Sequence, residues 1–384
     1  MTPASLALIV AVGLLGPLLS ARSVWHVPVV VGELAGGILI GDTGLRLIDP
    51  RAPDLHLLAN IGFGLTMVVV GSQIPVRDPR LRSRTGALGV AGAAVAGAAS
   101  AVLGLALAAA FGTGHAEVYG IVLASSSAAV VLPMLTSLGL SMGGLGQLVT
   151  QIAVADVVCV IALPFVVAPS HAGSAAVGAL VIAAVSVALV AALSGLGRSG
   201  VRRRAHAYSE RRRFALELRL SLLVLFGFAA VAQLAQLSIM LAGFALGLVL
   251  SAVGEPHRLA RQLFGMTEGF FGPLFFVWLG ASLDIRGLGG HPAMVLLGLA
   301  LGAGAVIAHS ASRAVSLPWE QAIASAGQLG VPVAAVTLGV QTGALLPGEG
   351  PAILVGALLT IAAAALGLGR VAGRMRSGAD PVAR

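Results

Sequence analysis

Apolar stretches of roughly 18 to 24 residues recur from one end of this 384-residue chain to the other. Each stretch is about the length that an α-helix needs to cross a hydrocarbon core ~30 Å thick. Charged residues make up only 10% of the chain and the mean hydropathy is +0.99, whereas soluble globular domains carry about 25% charged residues. The sequence therefore predicts an all-α polytopic membrane protein whose main surroundings are the lipid bilayer.

Cuts at polar or Gly/Pro-rich breaks divide the chain into thirteen predicted spans. They cover about 4–20, 27–41, 55–75, 86–111, 117–138, 145–168, 175–197, 214–235, 238–253, 265–283, 292–312, 319–340 and 351–372. The first is predicted to be a retained helix rather than a signal peptide, because no positive charge precedes it. Residues 1–376 are predicted to form one transmembrane domain, with a short cytoplasmic tail at 377–384 and no C-terminal nucleotide-binding regulatory domain.

The arginines support this division and orient it. All 23 basic residues are Arg, and only Arg46, Arg51 and Arg286 fall in one set of alternate loops, while the other 20 fall in the opposite set. Because cytoplasmic loops carry the excess of positive charge, we expect the N-terminus outside and the C-terminus in the cytoplasm, in the plasma membrane of a bacterium. The basic clusters lie between apolar stretches, so no nucleic acid partner is expected.

Spans five and twelve share a pattern of small residues followed by a proline in mid-span. Span five contains Pro133, and span twelve contains Gly330 and Pro332. Interrupted helices at matching places in two halves of a chain point to a transport site, because unwound backbone at membrane depth survives only where it lines a cavity. We expect inverted repeats of spans one to six and eight to thirteen, joined by span seven and the arginine-rich 198–213 connector. Two ordinary proline kinks are the alternative.

Asp156 is the one acid that the spans place at mid-membrane. About ten apolar residues flank it on either side, and an aspartate at that depth costs about 2.5 to 3.5 kcal/mol on insertion scales. Low dielectric favours its neutral form, whereas a bound cation favours the charged form. A carboxylate for which a proton and a cation compete is the minimal antiport site, and a neutral acid that packs helices is the other interpretation.

Other polar residues in the spans are weaker candidates for the cation site. Ser125, Ser126 and Ser127 offer hydroxyl oxygens to a dehydrated Na⁺ or K⁺, although membrane serines also bond back to their own helix. Cys159 shares a helix face with Asp156 and is interpreted as a packing residue, and the depth of Glu268 is left open. Structural roles near interfaces are assigned to the remaining polar residues of the spans: Glu33, Asp284, His309 and Arg313.

Enzyme signatures are absent from the sequence. There is no HExxH, no GxSxG, no phosphate-binding loop that ends in Gly-Lys and no clustered Cys/His set. A single cysteine also excludes an internal disulfide. The chain is therefore predicted to be a non-enzyme without a cofactor or a bound metal centre.

Four segments together carry a family resemblance. They read FFGPLFFVWLGASLDI at 270–285, VPVVVGELAGGILIGDTGLRLI near the start, ASSSAAVVLPMLTSLG in span five and LSIMLAGFALGLVLS in span nine. Across nearly its whole length the chain resembles monovalent cation:proton antiporter family two, which includes Kef-type transporters and bacterial sodium/proton exchangers.

The resemblance implies a homodimer with an alternating-access cycle. A mobile core of about spans three to six and ten to thirteen would hold two crossing broken helices beside an essential aspartate, and the remaining spans would form the scaffold and dimer contact. That aspartate matches Asp156. Ser126 and Ser127 match the Ser-Ser pair of the family, and Ala128 stands where its threonine follows.

Departures from the family pattern remove charge from the core. Ala155 stands where electrogenic members have a second aspartate, no lysine exists to pair with the acidic centre, and Leu329, Gly330 and Val331 replace an Arg-Gly-Glu run. We therefore expect electroneutral exchange of one proton for one Na⁺ or K⁺. A cation pore without obligatory proton coupling, and an organic-anion carrier on the same fold, are the alternatives.

Overall fold

A computed structural model describes residues 2–21, 29–73, 76–77, 83–140, 142–167, 169, 172–198, 216–235, 237, 239–254, 257–283, 286, 288, 290 and 292–376. Asp284, most of the 198–213 connector and the 377–384 tail lie outside these residues. Within them every regular element is helical.

Among the described residues, nine helices precede the connector. They are α1 (Pro3–Gly13), α2 (Leu15–Ser20), α3 (Val29–Ile40), α4 (Pro53–Gln73), α5 (Arg84–Phe111), α6 (Ala116–Ala124), α7 (Ala128–Ser137), α8 (Gly146–Val167) and α9 (Ala172–Arg198). Helix α5 shows how the sequence sets such bounds. The hydroxyl of Ser83 accepts the N–H of Thr85 at 3.2 Å, and Gly112 ends the helix with a φ of 63°, a left-handed conformation that favours glycine.

Eight helices follow the connector within the residues that the structure describes. They are α10 (Leu216–Leu234), α11 (Ile239–Val253), α12 (His257–Met266), α13 (Gly272–Ala281), α14 (Pro292–Ser310), α15 (Trp319–Ala324), α16 (Gly330–Thr342) and α17 (Glu349–Arg376). A π-helical turn, Thr267–Phe271, links α12 to α13.

The helices reproduce the predicted spans. In the described part of the chain, eight helical segments are long and apolar enough to cross a membrane, with α6 and α7 together as one of them, and α3, α4, α10 and α11 are shorter apolar helices. The broken pair α15 and α16 supplies the remaining predicted span. The predicted fold class, an all-α polytopic membrane protein with two broken helices, is confirmed.

The chain divides into two compact units. The first comprises residues 1–52, 78–169 and 276–384. In it α5 packs on α6, α8 and α14, and α17 packs on α14 and α15. Both broken helices belong to this unit, so it holds every residue of the site described below.

Glycines in the first unit bring α3 and the end of α13 into backbone contact. A Cβ added to Gly37 would meet the carbonyl of Val277 and lie 2.9 Å from the Ala281 nitrogen. A Cβ added to Gly280 would meet the carbonyl of Leu34 in the same way. Any side chain at Gly37 or Gly280 would therefore push the two helices apart.

The second unit comprises residues 53–77 and 170–275. Its centre is the packing of α4 on α11, with α9 and α10 also against α11. A Cβ on Gly247 would lie 2.7 Å from the Gly71 Cα, and the Phe63 and Phe275 rings stack with centroids 4.5 Å apart. Small residues and aromatic stacking therefore hold this unit together.

Candidate functional site at two broken helices

The first break interrupts span five at its three serines. Helix α6 ends at Ala124, Ser125 and Ser127 have extended backbone, and α7 begins at Ala128. The Ser125 hydroxyl donates to the Val122 carbonyl at 2.8 Å, so it competes with the helical pattern of bonds. Pro133 lies inside α7, five residues beyond its first residue, so the chain unwinds at the serines and not at the proline.

The second break interrupts span twelve between Ala324, where α15 ends, and Gly330, where α16 begins. Pro332 is the third residue of α16. Backbone N–H groups in a first turn have no partner within the helix, so proline fits there without loss. Gly330 and Pro332 thus mark the start of the second half.

The two breaks bond directly to each other. The Ser127 N–H donates to the Gly327 carbonyl at 2.7 Å, and the Ser126 hydroxyl donates to the Ser325 carbonyl at 2.5 Å. The Gln328 amide donates to the Leu123 carbonyl at 3.1 Å. Backbone groups freed by unwinding in one helix are therefore satisfied by the other.

Asp156 lies at the start of α7. Its side chain is buried, with a relative exposure of 2%, and its Oδ2 accepts the Ala128 N–H at 3.1 Å. A helix N-terminus carries partial positive charge and favours an anion. No partner for Oδ1 lies within the described residues, so one carboxylate oxygen is left for a ligand.

The serines divide into bonded and unbonded hydroxyls. Ser125, Ser126 and Ser127 are all buried. The first two hydroxyls donate to carbonyls as described, whereas the described part of the chain offers no partner to Ser127 Oγ. The structure thus brings Asp156, Ser126 and Ser127 to one break, and leaves Ser127 Oγ and Asp156 Oδ1 as uncommitted oxygens.

The other predicted polar residues lie elsewhere. Glu33 is buried in α3, where a Cβ added to Gly16 would lie 2.8 Å from its Cγ. Cys159 is buried one helical turn after Asp156. Glu268 is exposed in the π-helical turn, and Arg313 is exposed after α14. Glu33 therefore belongs to the contact of α2 with α3 and not to the breaks.

The expectation for His309 was wrong. Sequence reasoning assigned it to the cytoplasmic interface, but its side chain is wholly buried and its Nδ1 lies 3.1 Å from Ser325 Oγ. Gln151 of α8 donates to the same hydroxyl at 3.0 Å. The missed signal is helical spacing: Gly302, Ala305 and His309 recur at intervals of three and four, so the imidazole continues a buried stripe of small residues.

A family model described as "Sodium/hydrogen exchanger, transmembrane" matches residues 7–372. The chain belongs to the sodium/hydrogen exchanger family. The resemblance drawn from the four sequence segments is thereby confirmed, and the sodium/hydrogen exchanger match covers both broken helices.

Two relatives of the chain are bacterial potassium-efflux system proteins. The glutathione-regulated potassium-efflux system protein KefC of Cronobacter sakazakii is 29% identical over 284 residues, which are 70% of this chain and 43% of that protein. KefC of Salmonella typhimurium is 31% identical over 282 residues, 71% of this chain and 44% of that protein. The chain thus spans less than half the length of these relatives.

A solved structure shares the fold. The sodium proton antiporter MjNhaP1 from Methanocaldococcus jannaschii superposes with a TM-score of 0.65 at 16% identity, over 97% of this chain and 96% of that one. This member of the sodium/hydrogen exchanger family is therefore a multi-pass membrane protein with the antiporter fold.

Proposed function

We propose that the chain exchanges a monovalent cation, Na⁺ or K⁺, for protons across the bacterial inner membrane. The main support is the buried Asp156 carboxylate. One of its oxygens accepts the Ala128 N–H, and the other has no partner in the described residues. Family membership supports the proposal, as do the names of the relatives, a potassium-efflux system and a sodium proton antiporter.

Competition for this carboxylate provides the coupling. A charged carboxylate in a site of low dielectric requires a positive partner. A proton on Oδ1 supplies it in one state, and a cation held by Oδ1 and Ser127 Oγ supplies it in the other. Because one ligand excludes the other, each must leave before its competitor binds. Ser126 holds the break in place through its bond to the Ser325 carbonyl.

The remaining features of the transporter follow the same proposal. We infer a homodimer with the N-terminus outside and the C-terminus in the cytoplasm. Spans three to six and ten to thirteen would form the core that carries the site between the two sides of the membrane. Broken helices support alternating access because their ends present charge-stabilising groups at mid-membrane.

We also infer electroneutral exchange. Asp156 follows the small residue Ala155, and no other acidic side chain in the described residues bonds to either break. One carboxylate carries one proton or one monovalent cation in each crossing. In proteoliposomes with one-to-one gradients, we expect an imposed membrane potential to leave the exchange rate unchanged. A strong response to the potential would contradict this stoichiometry.

Everted vesicles that report ΔpH through a dye test the function directly. Addition of Na⁺ or K⁺ should collapse a preformed ΔpH, and the more effective cation is the substrate. Asp156→Asn keeps an oxygen for the Ala128 N–H but cannot titrate, so exchange should be lost. Glu33→Gln is the matched control, because it makes the same change at a buried acid away from the breaks. Normal exchange by a folded Asn variant would refute the role of Asp156.

A further inference from the structure

Three exposed arginines meet at the turn after α3, and we call them the basic cluster: Arg46, Arg51 and Arg286. They are the same three that stand apart from the arginine asymmetry of the loops. Arg46 Nε donates to the Asp42 carbonyl at 3.3 Å, and Arg51 lies 3.5 Å from the carboxylate of the same residue. Arg286, which follows α13, donates to the Gly44 carbonyl at 3.0 Å. The chain therefore gathers three guanidinium groups around one short turn.

Hydrogen bonds fix this turn to the end of α13. The Asp42 N–H donates to the Ala281 carbonyl at 3.0 Å. Trp278 of α13 donates its indole N–H to the Pro50 carbonyl at 2.9 Å, farther along the same loop. Because the backbone is held at both places, the positions of the guanidinium groups are largely set before a ligand binds. Such preorganisation lowers the entropic cost of binding.

The same contacts give the level of the basic cluster relative to the bilayer. The segment Gln262–Ala281 is long and apolar enough to cross a membrane, and Ala281 is its last residue. A turn that bonds to this residue lies at the end of a span, where the hydrocarbon core gives way to phospholipid headgroups. Trp278 lies one helical turn earlier, and tryptophan is enriched at this boundary.

Two exposed leucines flank Arg46 in the sequence. Leu45 is 62% exposed and Leu47 is 55% exposed. Their backbone N–H groups donate to the carbonyls of Leu39 and Ile40 at 2.7 and 2.8 Å, so this stretch of backbone is held against the end of α3. Large apolar side chains that are exposed next to a cation suit a boundary between an apolar phase and anionic groups.

The cluster keeps positive charge for a ligand. Asp42 pairs with Arg51, whose side chain is 84% exposed, and solvated pairs of this kind contribute little. Asp49 accepts the backbone N–H of Arg51 at 2.9 Å, so its carboxylate serves the turn. Arg46 and Arg286 contact carbonyl oxygens, which cancel no charge. Guanidinium groups have five donors each and bind phosphate through paired hydrogen bonds.

We propose that the basic cluster binds the phosphate of an anionic phospholipid, with Leu45 and Leu47 against the acyl chains. The phosphate supplies the negative charge that three guanidinium groups attract, and a lipid also covers the two leucines. A headgroup that carries its own cation is repelled by the cluster, so phosphatidylglycerol should bind better than phosphatidylcholine. Lipid binding at this turn does not depend on the proposed ion exchange.

Native mass spectrometry of the full-length protein, with equal amounts of phosphatidylglycerol and phosphatidylcholine added in detergent, tests the site. The parental protein should retain phosphatidylglycerol preferentially. The loop variant, Arg46→Gln with Arg51→Gln and Arg286→Gln, should lose about tenfold or more of this retention, because each basic residue near a lipid surface contributes about fivefold in affinity. Parental retention by a folded loop variant would overturn the proposal.

A matched control separates a site from general attraction between charges. Arg84, Arg219 and Arg313 are exposed elsewhere in the chain, and their replacement by glutamine removes the same charge. This control variant should keep the parental retention of phosphatidylglycerol, and an equal loss in both variants would overturn the proposal. If the loop variant does not fold, Arg46→Gln is compared with Arg313→Gln, and the expected loss is about fivefold in the former alone.

Two further measurements distinguish a lipid from other occupants. Inorganic phosphate at millimolar concentration should leave lipid retention unchanged, whereas Leu45→Ser with Leu47→Ser should lower it several-fold, because the acyl chains lose apolar contact. Displacement by phosphate would assign the cluster to a soluble anion. A loop variant that keeps its lipid but changes the number of protomers per particle would assign the surface to a second copy of the chain. Either result would overturn the lipid assignment.

Discussion

The two broken helices bond their unwound segments to different chemical groups. Around the first break, the start of α7 faces the acid Asp156. Around the second break no acid bonds within the described residues: Thr360 accepts the Gln328 N–H at 3.1 Å, Gln151 donates to Ser325, and the His309 ring lies 3.1 Å from the Ser325 hydroxyl. The acidic partner thus lies at the break in span five.

This difference separates a switching break from a supporting one. The amide hydrogen bonds of Gln328 and Gln151 keep the same strength when pH or cation concentration changes, so we expect the second break to hold a fixed geometry. Under the proposed function, Asp156 at the first break changes charge when a proton or a cation binds. Substitutions at the first break should therefore change exchange and its ion dependence, and those at the second should change stability.

Asp156→Glu should have the largest effect. It keeps the charge but adds a methylene to a buried side chain, which displaces the carboxylate by about 1 Å from the Ala128 N–H, and misplacement on that scale can cost about 10²-fold in rate. Exchange measured in everted vesicles should fall by this order, while Glu33→Asp retains exchange. Parental activity in Asp156→Glu would show that charge alone suffices at the first break.

Thr360→Val tests the supporting break. Valine has the same shape but cannot accept the Gln328 N–H, and a buried donor without a partner costs about 1–3 kcal/mol. Thermal unfolding in detergent should show the loss, with the pH dependence of exchange unchanged. Thr342→Val is the control, because that hydroxyl only donates back to its own helix. A changed pH profile in Thr360→Val would erase the distinction between the breaks.

Ser127→Ala and Ser126→Ala distinguish the roles of the two serine hydroxyls at the first break. Ser127 Oγ lacks a partner within the described residues, so its loss should raise the cation concentration for half-maximal exchange several-fold, on the order of 1 kcal/mol, with little change in stability. Ser126 donates to the Ser325 carbonyl, so its loss should lower stability. The reverse pattern would assign cation contact to Ser126.

Glu320→Gln should have the smallest effect. Glu320 is the acid of α15, and its carboxylate pairs with Arg374, whose side chain is 55% exposed. A pair with one solvated partner contributes about 0–1 kcal/mol. Unfolding should therefore shift little and the pH dependence of exchange should stay parental. A displaced pH profile would show that the second broken helix also carries a titrating group.

Sequence patterns sufficed for much of this architecture. Apolar length and arginine asymmetry gave the spans, because bilayer thickness and loop charge are read residue by residue. Small residues located both broken helices, and the surrounding apolar sequence predicted a mid-membrane position for Asp156, which is buried in the structure. These features depend on position along the chain and not on neighbours in space.

The exact positions of the helix breaks and the burial of His309 could be seen only in the three-dimensional structure. Proline drew attention to residues 133 and 332, but α7 accommodates Pro133 within a helix and α16 accommodates Pro332 in its first turn. His309 was assigned to an interface because it ends a span. Only the packing of α6 and α15 against that turn shows that it is covered.

The glycine contact of α3 with α13 has a mechanical consequence. Gly37 and Gly280 place backbone against backbone, so no side-chain rotamers remain between the helices to absorb a displacement. The two segments should tilt and translate as one rod. A spin label at the half-exposed Leu39 would therefore also report the movement of the α13 end, Ala281, which lies far away along the chain.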